Sequence, residues 1–556
     1  MQTTDSLRFP VFLIKPSHYD DDGYVIRWRR SVIPSNTLAT LYGLVADCAE
    51  RRVLGQGVEI ECHALDETNT RIDVARIVRE IRSAGSGLVG FVGVQSNQFP
   101  RAMDLARQFR EAGVSVAIGG FHVSGCLAML PGVQPDLQEA IDLGVSIYAG
   151  EAEGRLEALL QDVAHGAMKP IYNFLSDLPG LQQQPVPFLP KEVLSRGLGV
   201  QASFDAGRGC PFQCSFCTII NVQGRKSRRR NADDVERIVR MNRAQNVRNF
   251  FISDDNFARN RDWESILDRL IELREHEQIE IKITMQVDTL CHKIPGFIEK
   301  ARRAGVRKVF IGLENINPEA LKGAGKRQNQ ISEYRNMMQA WQNQGVIVFA
   351  GYIIGFPGDT RESVRRDIEI IQRELPVDIL EFFVLTPLPG SQDHKELFHA
   401  GVPMDPDMNS YDTYHVTTGH SQMSQEQWRD TYRMAWSQYY SPEHIETLLR
   451  RARASGIKTR KMANMALWFH GCASIEDLHP LDGGFFRMKT RSERRPGLPV
   501  DSALRFHVRY AWEIASKHAR YLRLIARLRW FEWRLDRDPE AANYRDDANR
   551  ALIPRS

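Results

Sequence analysis

The feature that most limits what this chain can fold into is an alternation, run twice, of short apolar stretches with segments of helical spacing. In the first run, residues 11–14, 58–64, 88–94, 114–118 and 145–148 read as strands, and residues 36–49, 72–84, 99–112, 137–143 and 152–163 read as helices. Strands that alternate with helices predict a parallel sheet with helices on both faces. The fold class expected over residues 1–170 is therefore α/β, flavodoxin-like or Rossmann-like. Ligands of such sheets sit at the carboxyl ends of the strands. Those ends carry Gln95 and Ser96, then Gly119, Gly120 and His122, then Gly150 and Glu151.

Residues 177–191 turn proline-rich and mark a linker, placed at 171–199. A second series follows, with strands predicted at 201–205, 249–252, 282–286, 308–312, 346–354 and 379–385. Six such units with intervening helices predict a partial (β/α)6 TIM-like barrel over residues 200–400, its chemistry at the carboxyl ends of the strands. Past residue 400 the strand signals fade. Helical spacing at 424–440, 443–453 and 503–534 predicts a helical C-terminal domain over 401–556, and the polar residues 539–556 are expected to fray.

Charge and hydropathy exclude several classes. The net charge of +4 is the small difference of large, balanced totals, so no nucleic-acid partner is expected. No stretch approaches the 18 or so apolar residues of a membrane span, and the amino terminus lacks a signal-peptide pattern, so a cytoplasmic location is expected. Of eight cysteines, Cys48, Cys62, Cys126, Cys291 and Cys472 are scattered and read as small buried side chains. The other three stand in Gly207-Arg208-Gly209-Cys210-Pro211-Phe212-Gln213-Cys214-Ser215-Phe216-Cys217, just after a predicted strand. Three thiolates at C-x3-C-x2-C spacing can hold three corners of a [4Fe–4S] cubane and leave one iron open. A structural zinc site would want a fourth ligand in paired spacing, and no second pair follows.

These residues resemble the radical S-adenosylmethionine superfamily, in its cobalamin-binding branch. The resemblance extends past the cysteines. Phe216 matches the aromatic that lies by the adenine. Ser253, Asp254 and Asp255 resemble the motif for the substrate amine. Glu314, in Gly312-Leu313-Glu314, looks like the ribose-side residue. Ile354 and Gly355, in Gly351 to Gly358, resemble the fifth-strand segment whose backbone meets adenine. Residues 386–391 match the turn that ends the sixth strand, and Gln286 is placed on the same ligand. In the first domain the resemblance implies cobalamin, contacted by Gln95, Ser96, Gly119, Gly120, His122, Gly150 and Glu151. The D-x-H-x-x-G string that supplies a histidine to cobalt in other cobalamin domains does not occur. His18 reads as a surface-loop residue, and no cobalt ligand from the protein is expected.

The resemblance implies reductive cleavage of S-adenosylmethionine to a 5′-deoxyadenosyl radical, hydrogen abstraction from an unactivated carbon, and methyl transfer by way of cobalamin. The target would be a natural-product, lipid or cofactor precursor. A flavodoxin- or ferredoxin-type electron donor would be required. Two other readings stay open: a non-methylating cyclase or ring-rearranging oxidase on the same scaffold, and a non-catalytic cobalamin or redox sensor. The helix at 503–534, rich in Arg, Trp and Tyr, reads either as a cap with its arginines in water or as an interfacial helix that meets an anionic membrane or a lipid-like substrate. The run Arg225-Lys226-Ser227-Arg228-Arg229-Arg230 reads as a solvated basic face.

Overall fold

The structure is a computed structural model, and it describes residues 7–326, 329 and 331–550. Contacts divide the chain into two units. One comprises Met1–Arg269, Pro387–Asp412 and Gly484–Asp501; the other comprises Leu270–Thr386, Thr413–Gly483 and Ser502–Ser556.

In the first unit the strands run β1 (Leu7–Lys15), β2 (Trp28–Ser31), β3 (Val58–Asp66), β4 (Leu88–Phe91), β5 (Ser115–Gly119), β6 (Ser146–Ala149) and β7 (Ile171–Asn173). Six of them form a parallel sheet in the order β3-β1-β4-β5-β6-β7. Both faces are covered, so the central strands are buried throughout: all four residues of β4 and all four of β6 lie inside. Phe12, Val89, Phe91, Val116, Ile118 and Ile147 form one apolar cluster with the helix residues Ile77, Leu105, Phe109 and Val123. The helices start where the sequence offers caps. Ser35 accepts from the Leu38 N–H before Asn36–Glu50, and Asp73 accepts from the Arg76 N–H before Val74–Ala84. The proline-rich stretch after β7 is packed, with Leu181, Val186 and Leu189 buried. The same unit carries β8 (Gln201–Phe204), the short antiparallel pair β9 (Gly207–Arg208) and β10 (Arg228–Arg229), and β11 (Asn249–Ile252), which runs parallel to β8. His18 is not on the surface: it is 2% exposed, in the turn that follows β1.

The second unit holds β12 (Lys282–Val287), β13 (Val306–Glu314), β14 (Ile347–Ile354) and β15 (Ile379–Val384), each parallel to the next. All eight residues of β14 are buried. The outer face of β15 packs on the helix Gln425–Tyr439, where Phe382 meets Trp436 and Tyr439 edge-on. Helices Pro442–Ala454, Thr459–Gly471 and Ala503–Asp536 complete the unit. The tail does not fray where expected. Pro539–Asn543 is a 3-10 turn, and the Gln339 side chain donates to the Ala548 and Arg550 carbonyls. Residues 551–556 lie outside the described residues.

Gly355, at the end of β14, has φ +117°, and a Cβ there would come within 1.9 Å of the Trp428 ring. Gly358, three residues on, has nothing within 4 Å of a built Cβ. Gly355→Ala is expected to lose about 2 kcal/mol or more in chemical denaturation, and Gly358→Ala to lose little. Equal effects would contradict the packing described for this turn.

Candidate active site

The cysteine loop grows directly out of β8 and β9. Gly209 has φ +89°, and a Cβ there would sit 2.6 Å from the Lys226 carbonyl, so the turn into Cys210 requires glycine. The loop is fastened along its length. Gly209 N–H donates to Asp255 Oδ2 at 2.8 Å, and Cys210 N–H donates to the Gly224 carbonyl at 3.3 Å. The Gln392 and Asp393 N–H groups both donate to the Ser215 carbonyl, at 2.9 and 3.2 Å. Cys214 is buried, and Cys210, Phe216 and Cys217 are half-buried. Burial pushes the Cys217 thiol up to about 12, a proton that a bound metal would displace. Among the described residues, no three His, Cys, Asp or Glu side chains converge on a single ion. A cubane cluster gives each thiolate its own iron, so three thiols spread along one loop suit it.

Ser253, Asp254 and Asp255 stand beside this loop as its supports. Asp254 Oδ1 accepts from the Ala206 N–H at 2.6 Å, and its Oδ2 lies 3.4 Å from the Asn260 amide. Ser253 Oγ donates to the Phe204 carbonyl at 3.2 Å. Burial, with Asp205 nearby, pushes Asp254 up to about 8, and burial pushes Asp255 up to about 6. The motif therefore shapes the backbone that presents the cysteines, whatever else it meets.

At the carboxyl end of the first sheet lies a cleft partly open to solvent. Gly119, Gly120, Gly150 and Glu151 line it, together with Asn36, Thr37, Phe121, Ser124, Tyr148 and Arg208. Gly120 has φ +154°, and its missing Cβ would lie 2.1 Å from the Val94 nitrogen, so only a glycine lets the loop press this close to the end of the neighbouring strand. Gln95, Ser96 and His122 are not among the lining residues. His122 is buried between Ser96 Oγ (3.2 Å from Nδ1) and Asp136 Oδ2 (2.8 Å from Nε2), with Phe99 against its ring. A largely apolar cleft floored by glycine backbone fits a large flat cofactor and its tail.

One side chain joins the cleft to the cysteine loop. The Arg208 guanidinium, two residues before Cys210, donates to Asp205 Oδ2 at 2.8 Å, Glu151 Oε2 at 2.8 Å and Glu153 Oε1 at 2.7 Å. Arg228 reaches the same Glu151, and the fully buried Arg230 donates to the Asp205 carbonyl at 3.0 Å. The basic run around Arg228 is thus not a solvated face; two of its arginines are built into this network. Burial works to raise the Asp205 and Glu153 carboxyls, yet Arg208 holds both below the usual carboxylate range.

The second unit carries the remaining residues singled out from the sequence. Gln286 lies on β12, paired with Phe310. Glu314 ends β13 with φ +63°, unusual for a side chain with a Cβ, and forms an ion pair with Lys326. The Asn329 amide donates to the Gly312 and Leu313 carbonyls at 3.2 and 2.8 Å. The Ile354 carbonyl accepts from the Trp428 indole at 3.0 Å, and the Gly355 and Phe356 N–H groups both donate to Asp359 Oδ2. The strand ends are thus pinned in shape by residues the motifs did not mark. Glu381 was also missed. On β15 it alternates with the outward Phe382, so it faces the inner side of the sheet. It is 4% exposed, its Oε2 has no hydrogen-bond partner among the described residues, and burial pushes the carboxyl up to about 8.

Residues 206–371 match the model of the radical SAM superfamily. The chain carries a radical SAM domain over that segment. The radical SAM segment takes in the cysteine loop and runs through β14. Among curated proteins, the chain is 24% identical over 345 residues to bacteriochlorophyllide d C-8(2)-methyltransferase of Chlorobaculum tepidum, covering 58% of this chain and 72% of that one. It is 25% identical over 307 residues to hopanoid C-2 methylase of Rhodopseudomonas palustris, covering 54% of this chain and 56% of that one. The chain thus spans little more than half the length of the second relative. Among solved structures, it shares its fold with the radical S-adenosylmethionine methyltransferase TsrM of Kitasatospora setae, solved with cobalamin and a [4Fe–4S] cluster (TM-score 0.55, 17% identity, 72% and 80% coverage). It also shares its fold with the cobalamin-dependent S-adenosylmethionine radical enzyme OxsB, solved with aqua-cobalamin (TM-score 0.52, 13% identity, 97% and 82% coverage).

Two outcomes test the electrostatics of this site. Arg208→Met leaves three carboxylates short of their shared cation and is expected to cost about 3–5 kcal/mol at neutral pH. Asp205 and Glu153 titrate below their ordinary 3.8 and 4.5. Their contribution is full above those values and is lost as pH falls through the lower folded-state values, so the gap between variant and wild type should close below about pH 4. A gap independent of pH would contradict the network. Glu381 carries the opposite sign. Its raised value costs stability as pH rises from 4.5 through about 8. Glu381→Gln should therefore gain melting temperature over wild type at about pH 9 and show little difference at about pH 4.

Proposed function

We propose that this protein is a cobalamin-dependent radical S-adenosylmethionine enzyme that methylates an unactivated carbon of a natural-product, lipid or cofactor precursor. The observation that carries the reading is the pairing, in one unit, of a three-cysteine loop with a glycine-floored cleft, both tied to Arg208. The functional division follows the sequence: residues 1–170 for cobalamin, 200–400 for the radical chemistry, 171–199 between them and 401–556 as the helical cap.

Cys210, Cys214 and Cys217 would hold the [4Fe–4S] cluster. When bound, the cofactors supply reductive cleavage of the sulfonium and a transferable methyl group. The chain's own residues do the positioning. Gly209 and Asp255 set the angle at which the loop presents its thiolates. Phe216, on the same loop, and the backbone at Ile354 and Gly355 are assigned to the adenine, Ser253, Asp254 and Asp255 to the amine, Glu314 to the ribose side, and Gln286 to the same ligand. Gly119, Gly120, Gly150 and Glu151 are assigned to cobalamin, with Gln95, Ser96 and His122 behind them shaping the strand ends. The reading includes a flavodoxin- or ferredoxin-type electron donor, a small-molecule or lipid-like substrate, a cytoplasmic location and peripheral membrane contact through the C-terminal helix. Methyl transfer is favoured over ring-forming chemistry by the curated methyltransferases this chain resembles.

After anaerobic reconstitution with a chemical reductant, wild type should convert S-adenosylmethionine to 5′-deoxyadenosine, and Cys210→Ala, Cys214→Ala and Cys217→Ala should each abolish it. With substrate, S-adenosylhomocysteine should appear beside 5′-deoxyadenosine in mass spectra. Deoxyadenosine alone would support the non-methylating enzyme, and neither product from a fully loaded protein would support the sensor.

A further inference from the structure

The helix Ala503–Asp536 has two apolar faces, and the unit uses only one. At about 1.5 Å per residue its 34 residues make a rod about 50 Å long. Phe506, Leu524, Leu528, Phe531 and Leu535 are buried and form the packed face. At about 100° per residue, Leu504, Val508, Trp512, Leu522, Trp530 and Trp533 fall within an arc of about 80°, turned well away from that face. All six are exposed, the three tryptophans at 75%, 51% and 54%. Alanines fill the turns between them, also exposed. A continuous apolar stripe of this length, with three exposed tryptophans, is unusual on a surface that meets only water.

Charge on the helix is sorted in the same way. It holds seven arginines and one lysine against three acids. The acids are each engaged by a cation within the unit: Glu513 by Lys517, Glu532 by Arg460 and Arg529, and Asp536 by Arg453. None lies on the stripe. Arg505, Arg509, Arg520, Arg523 and Arg527 run in a row along one edge of it, all exposed. Arg534 and Arg537 stack on Trp530 and Trp533, with the guanidinium carbons 4.6 and 4.1 Å from the ring centroids. No helix among the described residues is long and apolar enough to cross a membrane.

We propose that this face lies in the plane of an anionic lipid surface, with Leu504, Val508, Leu522 and the three tryptophans among the acyl chains and the arginine row against the headgroups. Tryptophan prefers that depth, and arginine stems reach from it to phosphate. A second copy of the chain is the other occupant an apolar stripe could take, but it would bring one arginine row near another, whereas an anionic surface meets both the stripe and the row. The proposal gives physical form to the membrane contact in the functional reading, and its readout does not involve catalysis.

The test is co-sedimentation of the full-length protein with vesicles of phosphatidylcholine alone or with about one third phosphatidylglycerol. Wild type should bind the anionic vesicles at least about tenfold more tightly than the neutral ones, weaken with added salt, and shift its tryptophan emission to the blue on binding. The triple variant Trp512→Ser, Trp530→Ser, Trp533→Ser and the charge variant Arg523→Glu, Arg527→Glu alter exposed positions. Each should keep the wild-type circular dichroism spectrum and lose at least about tenfold in vesicle affinity. Wild type that ignores anionic vesicles would overturn the proposal, as would variants that bind as wild type does. A dimer in solution that the triple variant dissolves, without vesicle binding, would assign the face to a second copy. 5′-Deoxyadenosine formation is measured on the same preparations without lipid, so failure of the surface and failure of the radical reading are told apart.

Discussion

The arrangement of the first unit turns on the buried guanidinium of Arg208. Arg208 lies two residues from the first cysteine, and its guanidinium meets three carboxylates, two of which lie on the loop at the end of β6. A buried charge is costly unless its partners are complete, and here every arm of the guanidinium is met. The arrangement is costly to break and directional. It ties the cysteine loop to the glycine-floored cleft, since Glu151 and Glu153 sit on the loop after β6 and Asp205 on the turn after β8. Arg228 and Arg230, on and just after the strand paired with β9, extend the clamp to the segment before β8, where Arg228 donates to the Pro179 carbonyl and Arg230 to the Leu181 and Pro185 carbonyls.

That rigidity suits radical chemistry. A reactive carbon radical is useful only if its neighbours are held and water is kept out, and the protein's share in cofactor chemistry is placement and exclusion. The supports seen here do that work through backbone. Asp254, Asp255 and Asp359 spend their oxygens on N–H groups of turns, and Asn329 holds the carbonyls of the strand end before Glu314. The loops at these strand ends are therefore determined by groups one step behind them.

Much of this was legible in the sequence. The strand–helix alternation marked β1, β3, β4, β5 and β6, and then β8, β11 and β12 to β15, because doubly covered parallel strands read as short apolar runs; the short pair β9 and β10 carried no such signal. The cysteine loop was legible because its spacing has few other uses. What the sequence hid was partnership. Ser253, Asp254 and Asp255 look like ligand groups, and only the structure shows them bound to the Phe204–Gly209 backbone. The arginines at 228 and 230 look like a wet basic run, since nothing local says that Glu151, 77 residues earlier, waits for one of them. His122 sits at a strand end but is turned into a buried contact with Ser96 and Asp136. Glu381 carries no motif; its isolation inside the sheet is a property of the fold alone. The reverse holds for the C-terminal helix, whose aromatic and basic composition was plain, while the sorting of its residues onto two faces needed the packed side to be known.

If the first unit holds both proposed cofactor sites, their stoichiometry is the most direct measurement of it. Protein reconstituted anaerobically with iron, sulfide and hydroxocobalamin, then desalted, is analysed for metal, sulfide and corrinoid. About four irons, about four sulfides and about one corrinoid per chain are expected. A chain that takes up the cluster and leaves the corrinoid in solution, or that retains neither, would contradict that proposal.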